Sequence, residues 1–236
     1  MEKRFTREKY TCIIPFYNED FSNVEKTVRE VRKVKEIDLI IVVDDGSDSV
    51  ATYEVLKTIY TNRSDVLVKR LWLNYGKTYA ICHALNYVPN GNVFLCDSDL
   101  KFLDNEEISN AILKYELLDL DMVILRRLNI GFFPKMIRAD TLLSGERILS
   151  RKDLNKVLEA NVKGYELEVA INQYFIDDNS VKCFWSPSSA VNNYKYKKFK
   201  FFKGIAKDLK MYYGLVKYIG FSNFIKQIKS FCKQDA

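Results

Sequence analysis

The chain has 236 residues, of which 47% are hydrophobic, 29% charged and 14% aromatic, with a formal net charge of +6. This is enough for one domain with a sizeable core, and nine Gly and four Pro exclude a collagen-like or low-complexity chain. The apolar content excludes wholesale disorder, and no apolar run approaches the roughly 18 residues of a membrane span. The charged start MEKRFTREKYTCIIP has no apolar leader ahead of its first strand-like run, so a soluble, non-secreted protein is expected.

Residues 11–16 (TCIIPF) predict a first strand and 21–34 a first helix. In that helix Val24, Val28 and Val31 recur at steps of four and three, with Ser22 as N-cap. A strand at 38–43 (DLIIVV), a helix at 51–61, a strand at 66–71 (VLVKRL), a helix at 77–88 and a strand at 92–96 (NVFLC) follow. A helix at 106–118 and a strand at 121–126 (DMVILR) extend the pattern. Such alternation, with strands apolar almost throughout, implies an α/β fold with a mostly parallel sheet covered on both faces. Residues 127–152 show no clear periodicity; helices are expected at 153–160 and 164–175 and a strand at 181–185. The five cysteines, Cys12, Cys82, Cys96, Cys183 and Cys232, are scattered without a CxxC pair, as free structural thiols in a reducing compartment would be.

Charge divides the chain at about residue 195. Residues 195–236 hold eleven Lys and two Asp, a net of +9, while the first 194 residues hold 26 basic and 29 acidic side chains, a net of −3. Residues 1–194 are therefore taken as the body and 195–236 as a basic, aromatic-rich helical tail. In the tail Ile205, Leu209, Tyr212, Val216 and Ile219 trace one helical stripe, with Lys203, Lys207, Lys210 and Lys217 opposite. Ten aromatics lie between Tyr196 and Phe231. Two readings stand side by side: residues 195–233 meet an anionic membrane surface, or the stripe packs on the body. No nucleic-acid-binding module accompanies the lysines.

In open α/β sheets ligands bind beyond the carboxyl ends of the strands. Four strands here end in PFYNE (15–19), DDGS (44–47), NYGK (74–77) and DSD (97–99). Carboxylates gathered at one edge repel unless they hold a cation or donors. Asp97 and Asp99 are hard oxygen ligands suited to Mg²⁺ or Mn²⁺ together with substrate phosphates, and Lys77 at a helix start suits a phosphate.

The strings IIPFYNE, VVDDGSDS, NYGKTYA, FLCDSDL and SGERILSR, in that order over roughly residues 10–175, resemble the family 2 glycosyltransferases of GT-A fold. Within them the resemblance is to the branch of dolichyl-phosphate mannose synthase and glucosyl-3-phosphoglycerate synthase. It implies transfer of a sugar from a nucleotide-sugar donor, with a divalent metal, Mn²⁺ or Mg²⁺, at the DxD element. By position, Pro15, Tyr17 and Glu19 would line the nucleotide pocket, with Asp44 accepting from the base and Asp45 supporting its turn. Lys77 and Ser98 would join the nucleotide-sugar site. Asp99 is the leading metal ligand, with Asp97 nearer the sugar or ribose. Gly145, Glu146 and Arg147 match an acceptor-side segment in which Arg147 would act on phosphate or acceptor.

Glu166 and Glu168 fall where relatives keep an acidic residue, and on a helix one of the two faces the site; Glu168 is chosen as the base. Some relatives add a late His ligand; here 186–193 has none, leaving Asn192 or Asn193 as substitutes, and His83 is read as structural. The acceptor class suggested by the basic tail is a lipid-linked or cell-surface glycan precursor, handled at the inner face of a membrane. A homodimer is the default oligomer. The alternatives are a catalytically silent nucleotide-sugar-binding or membrane-recruited module and, less favoured because the first strand lacks a Gly-rich loop, a sugar nucleotidyltransferase.

Overall fold

The computed structural model describes residues 9–129, 135–160, 162, 166–177, 181–192 and 213–232. The first half alternates as the sequence predicts: β1 (Tyr10–Phe16), α1 (Phe21–Val31), β2 (Ile37–Asp44), α2 (Ala51–Tyr60), β3 (Val66–Arg70), α3 (Lys77–Leu85) and β4 (Asn92–Leu95). Next come β5 (Leu100–Lys101), α4 (Asn105–Leu117), β6 (Met122–Arg127), α5 (Ala139–Leu142), β7 (Arg147–Ser150) and α6 (Arg151–Glu159). The last elements are α7 (Glu166–Ile176), β8 (Cys183–Ser188), β9 (Val191–Asn192) and α8 (Phe221–Ser230). Residues 213–219 are also helical.

The strands are apolar at successive positions because both faces of the sheet are covered. Cys12, Ile14, Ile40, Val42 and Phe94 pack with Val24 and Val28 of α1, Leu56 of α2 and Ile108 and Ile112 of α4. Their neighbours Ile13, Ile41, Val43, Val93 and Leu95 pack on the other side with Ile81 of α3, Leu154 of α6, Leu167 and Ile171 of α7, and Ile228 beside Phe231 at the end of α8. The seven-stranded sheet runs β3-β2-β1-β4-β7-β6-β8. Only β7 is antiparallel to its neighbours, β4 and β6; the other pairings are parallel. β5 and β9 form a separate antiparallel pair just after Asp99.

Local signals explain most boundaries. α1 begins one residue before Ser22, with Asp20 at the N-cap, so Ser22 lies in its first turn rather than capping it. α6 starts at Arg151 because Ser150 Oγ accepts the Asp153 amide at 3.0 Å, two residues earlier than the apolar pattern suggests. Residues 127–152, without periodicity, hold α5 and β7. A strand that opens on a fully buried arginine does not read as a central strand.

Residues 213–232 of the basic tail pack on the body. Leu215 and Ile219 are buried against Val169 of α7, and Gln227 is buried with its Nε2 donating to Val169 O at 3.1 Å. Arg138, in the left-handed region at φ +55°, donates to the Phe231 and Cys232 carbonyls and closes the end of α8. At 195 the charge changes sign, yet residues 213–232 share the packing of α7. The stripe positions Ile205, Leu209 and Tyr212 lie outside the described residues. Among the described residues no helix is long and apolar enough to cross a membrane.

Candidate active site

β7 runs against its neighbours, so its starting end meets the finishing ends of β1, β2, β4 and β6 at one edge of the sheet. Leu95 pairs with Arg147, which brings Gly145 and Glu146 beside Asp97. A Cβ on Gly145 would lie 2.7 Å from both Asp97 carboxylate oxygens, so only glycine admits this approach.

The side chains at that edge form a chain of charges. Lys77, first residue of α3, donates through Nζ to Asp97 Oδ1 at 2.6 Å and to Glu168 Oε1 at 2.9 Å. Arg127, last residue of β6, donates through Nη2 to Asp97 Oδ2 at 3.0 Å. It also grips the fully buried Glu146, Nε to Oε2 at 3.0 Å and Nη2 to Oε2 at 2.8 Å. Burial alone would raise the Asp97 pKa, but Lys77 and Arg127 outweigh it and hold the carboxyl well below the usual range. Burial likewise works against the Lys77 ammonium, and Asp97 with Glu168 overrides it, keeping the lysine charged.

Asp99 differs. It makes no ion pair with any described residue, and burial, then the charges of Asp97 and Glu19, push it up to about 6. A half-buried carboxylate next to other carboxylates and without its own cation has the chemistry of a divalent-metal ligand. Among the described residues no three His, Cys, Asp or Glu side chains converge into a ready metal cage.

On the nucleotide side, the DDGS turn is tightly built. Asp44 is fully buried, accepts the Ser47 amide at 2.9 Å and hydroxyl at 2.6 Å, and pairs with Arg70. This corrects the expectation that Asp44 meets the base: its carboxylate is fully buried and holds the turn through Ser47 and Arg70. Asp45 accepts the Tyr75 and Gly76 amides at 3.0 and 2.8 Å; burial raises its pKa and these amides pull it back. Gly46, at φ +65°, lies under the Leu73 carbonyl with no room for a side chain. Pro15 is buried in β1, Tyr17 is exposed with its hydroxyl 3.5 Å from Asp48, and Glu19 accepts from Asn23 Nδ2 at 2.6 Å. Ser98 is buried and its carbonyl accepts Thr27 Oγ1 at 3.1 Å.

Of the two candidate bases, Glu168 is buried and faces Lys77, whereas Glu166 stays half-exposed. Arg147 is a correction. It is fully buried beneath the site, donating to Ser144 O at 2.8 Å, Leu142 O at 2.8 Å and Asn172 Oδ1 at 2.5 Å. It does not reach the cleft, and the arginine beside Asp97 is Arg127. Reading the end of β6 by the rule applied to the earlier strands would have found Arg127. Asn172 links onward to Gln227 of α8 at 3.1 Å. The backbone of Asn192 pairs with Leu100 next to Asp99, while its side chain and Asn193 lie outside the described residues. His83 stacks edge-on against Tyr87 at 5.6 Å.

The sequence model described as glycosyl transferase family 2 matches residues 11–175. Among solved structures, glucosyl-3-phosphoglycerate synthase from Mycobacterium tuberculosis, in complex with Mn²⁺, UDP and glucosyl-3-phosphoglycerate, is similar with a TM-score of 0.63 at 16% identity, covering 90% of this chain and 80% of that one. A mannosyltransferase from Pyrobaculum calidifontis, in complex with GDP-Man and Mn²⁺, is similar with a TM-score of 0.61 at 13% identity, covering 94% and 73%. Comparison with curated protein sequences gives no match. The sheet order and flanking helices are those of the GT-A fold that the sequence motifs imply.

Proposed function

The chain belongs to glycosyl transferase family 2, and from that membership we propose that it moves a sugar from a nucleoside-diphosphate donor to a lipid-linked or cell-surface glycan precursor. The observation that carries this reading is the run of ion pairs from Glu168 through Lys77, Asp97 and Arg127 to Glu146, with Asp99 beside it lacking a cation. UDP is the default donor base. The similar structures contain UDP in one case and GDP-Man in the other, each with Mn²⁺.

Asp99, with Asp97 next to it, would hold Mn²⁺ or Mg²⁺. The chemistry such a cation supplies is neutralisation of charge on the departing diphosphate. Lys77 is the chain's own cation for the same phosphates. As the bond from the anomeric carbon to the diphosphate breaks, the electron pair leaves with the phosphate oxygen, and the ammonium stabilises it. The acceptor oxygen forms the new bond to that carbon. When the acceptor is a hydroxyl, Glu168 takes its proton; an ionised phosphate acceptor needs no base. Because Lys77 bridges Asp97 and Glu168, phosphates arriving at Lys77 draw it from Glu168 and leave that carboxylate free to act. A lipid-linked acceptor would place the work at a membrane surface.

The test is thermal unfolding with UDP-, GDP-, CMP- and dTDP-sugars, each with Mn²⁺, Mg²⁺ or EDTA, followed by assay of donor consumption. A donor at 100 times its Kd adds about 2.7 kcal/mol, a rise of several degrees. The expected result is one donor, metal-dependent, with the shift lost in Asp99→Ala. No shift with any donor, or an undiminished shift in Asp99→Ala, would overturn the mechanism. Binding without donor consumption would favour the silent module.

A further inference from the structure

The tail meets α7 in two different ways. Leu215 and Ile219 bury apolar side chains against Val169, while Tyr213, Tyr218 and Phe221 stay exposed on the outside. Apolar packing of this kind supplies adhesion but tolerates small rotations of one helix on another. α8 adds a second kind of contact. Among its residues, all of them described, the one that is wholly buried is Gln227. A docked helix normally buries an apolar side chain at such a position, and a buried amide is destabilising unless its polar atoms find partners.

Here they do. Gln227 Nε2 donates to Val169 O at 3.1 Å and to Gln173 Oε1 at 3.2 Å, and its Oε1 accepts Asn172 Nδ2 at 3.1 Å. Asn172, itself fully buried, also donates to Leu142 O at 3.1 Å and accepts Arg147 Nη1 at 2.5 Å. The network joins the tail, α7, the last residue of α5 and the first residue of β7. Its partners on α7 sit beside the candidate base: Val169 follows Glu168 directly, and Asn172 lies one turn beyond it. A satisfied buried network selects one arrangement where apolar contacts alone accept several.

The rotation of α7 matters because Glu168 is its third residue and reaches Lys77 Nζ at 2.9 Å. A carboxylate lies about 6 Å from a helix axis, so a rotation of about 20° moves it by about 2 Å, enough to break a hydrogen bond. We propose that Gln227 is a positioning residue: from the tail it fixes the rotation of α7 that sets Glu168 against Lys77. Being fully buried, Gln227 acts only through α7. The inference rests on the proposed role of Glu168 as base.

Gln227→Met keeps the length of the side chain and removes its hydrogen bonds. The readouts are kcat and KM for whichever of the UDP-, GDP-, CMP- and dTDP-sugars raises Tm, and hydrogen exchange over residues 166–173. Expected is a fall in kcat of about tenfold or more, since a general base contributes about 10²–10⁴-fold, with the donor KM unchanged within about twofold. In a Glu168→Gln background the same substitution should cost no further kcat, because it acts through that carboxylate. Ile219→Ala, which thins the apolar contact alone, should lower Tm yet leave kcat within about twofold. Exchange in the first two turns of α7 should rise in Gln227→Met. Gln227→Asn, one methylene shorter and still polar, carries the same expectations where Gln227→Met folds poorly.

Unchanged kcat, an equal loss in the Glu168→Gln background, or an equal loss in Ile219→Ala overturns the proposal. So does unchanged exchange in α7. A wild type that consumes no donor removes the base and the transferase reading. Raised exchange in the variant would then still show α7 held by Gln227, and unchanged exchange would remove that as well.

Discussion

Arg127→Met tests the charge chain most directly. Arg127 is largely buried and serves two carboxylates, Glu146 through Nε and Nη2 and Asp97 through Nη2. Without it, among the described residues, the fully buried Glu146 keeps the Ser144 hydroxyl at 3.0 Å and Asp97 keeps Lys77. Removing one partner of a buried ion pair costs about 3–5 kcal/mol, mostly the penalty of the charge left behind. In a domain of this size each kcal/mol moves Tm by about 2–4 °C, so a fall of roughly 10 °C is expected. Arg127→Met/Glu146→Gln removes that stranded charge and should recover more than half of the loss. Asp97 lacks its second cation in both variants, so donor consumption should stay low even where Tm recovers. Thermal unfolding of the two variants and their donor turnover give both readouts. A loss below about 1 kcal/mol in the single variant, or a double variant as unstable as the single, would refute the reading of a dry, charge-balanced cluster.

Asp99 and Arg147 make separable predictions. The Asp99 pKa of about 6 in the folded chain lies above the ~3.9 of an unfolded one, so folding favours its neutral form. That contribution is present below about pH 4 and is lost as pH rises through 6. Asp99→Asn, measured in EDTA, should match wild type at about pH 4 and exceed it by about 1–2 kcal/mol near pH 7.5, after allowance for partial exposure. A pH-independent difference would contradict this. Arg147→Met should lower stability by about 2 kcal/mol, since three buried acceptors lose a donor while a buried charge is removed. It should leave the acceptor KM unchanged; a raised KM at unchanged Tm would return Arg147 to the acceptor side.

Much of the fold is legible in the first half of the chain because strand and helix periods there are uninterrupted and β1, β2 and β4 are buried on both faces. Ile13, Ile41 and Val93 on one side and Ile14, Val42 and Phe94 on the other show this directly. The stretch around β7 is not legible, because Arg147 is buried by satisfying neighbouring carbonyls rather than by being apolar. The candidate residues Lys77, Asp97 and Asp99 stand out by their positions after strands. Their pairing does not: Lys77 meets a carboxylate 91 positions away, a contact only the folded chain defines. The tail shows a related limit. An amphipathic, lysine-rich stripe has the same pattern whether it meets lipid or a helix, and α7 takes residues 213–232.

The place of β7 in the sheet also bears on how the protein is made. β1 to β4 can pair among themselves as they leave the ribosome, but the far side of β4, Asn92–Leu95, finds its partner only in Arg147–Ser150. β6 emerges earlier than β7 and has no partner in the earlier half of the sheet, because β7 joins it to β4 and β8 comes later still. Until about residue 150 is available, the nascent chain carries two apolar strands with open hydrogen-bonding edges, a state prone to wrong pairing. The same event that closes those edges brings Gly145 and Glu146 against Asp97. Synthesis interrupted before this strand would therefore yield an aggregation-prone fragment, not a smaller enzyme; Glu168 of α7 and the second partner of β6, β8, follow only after it.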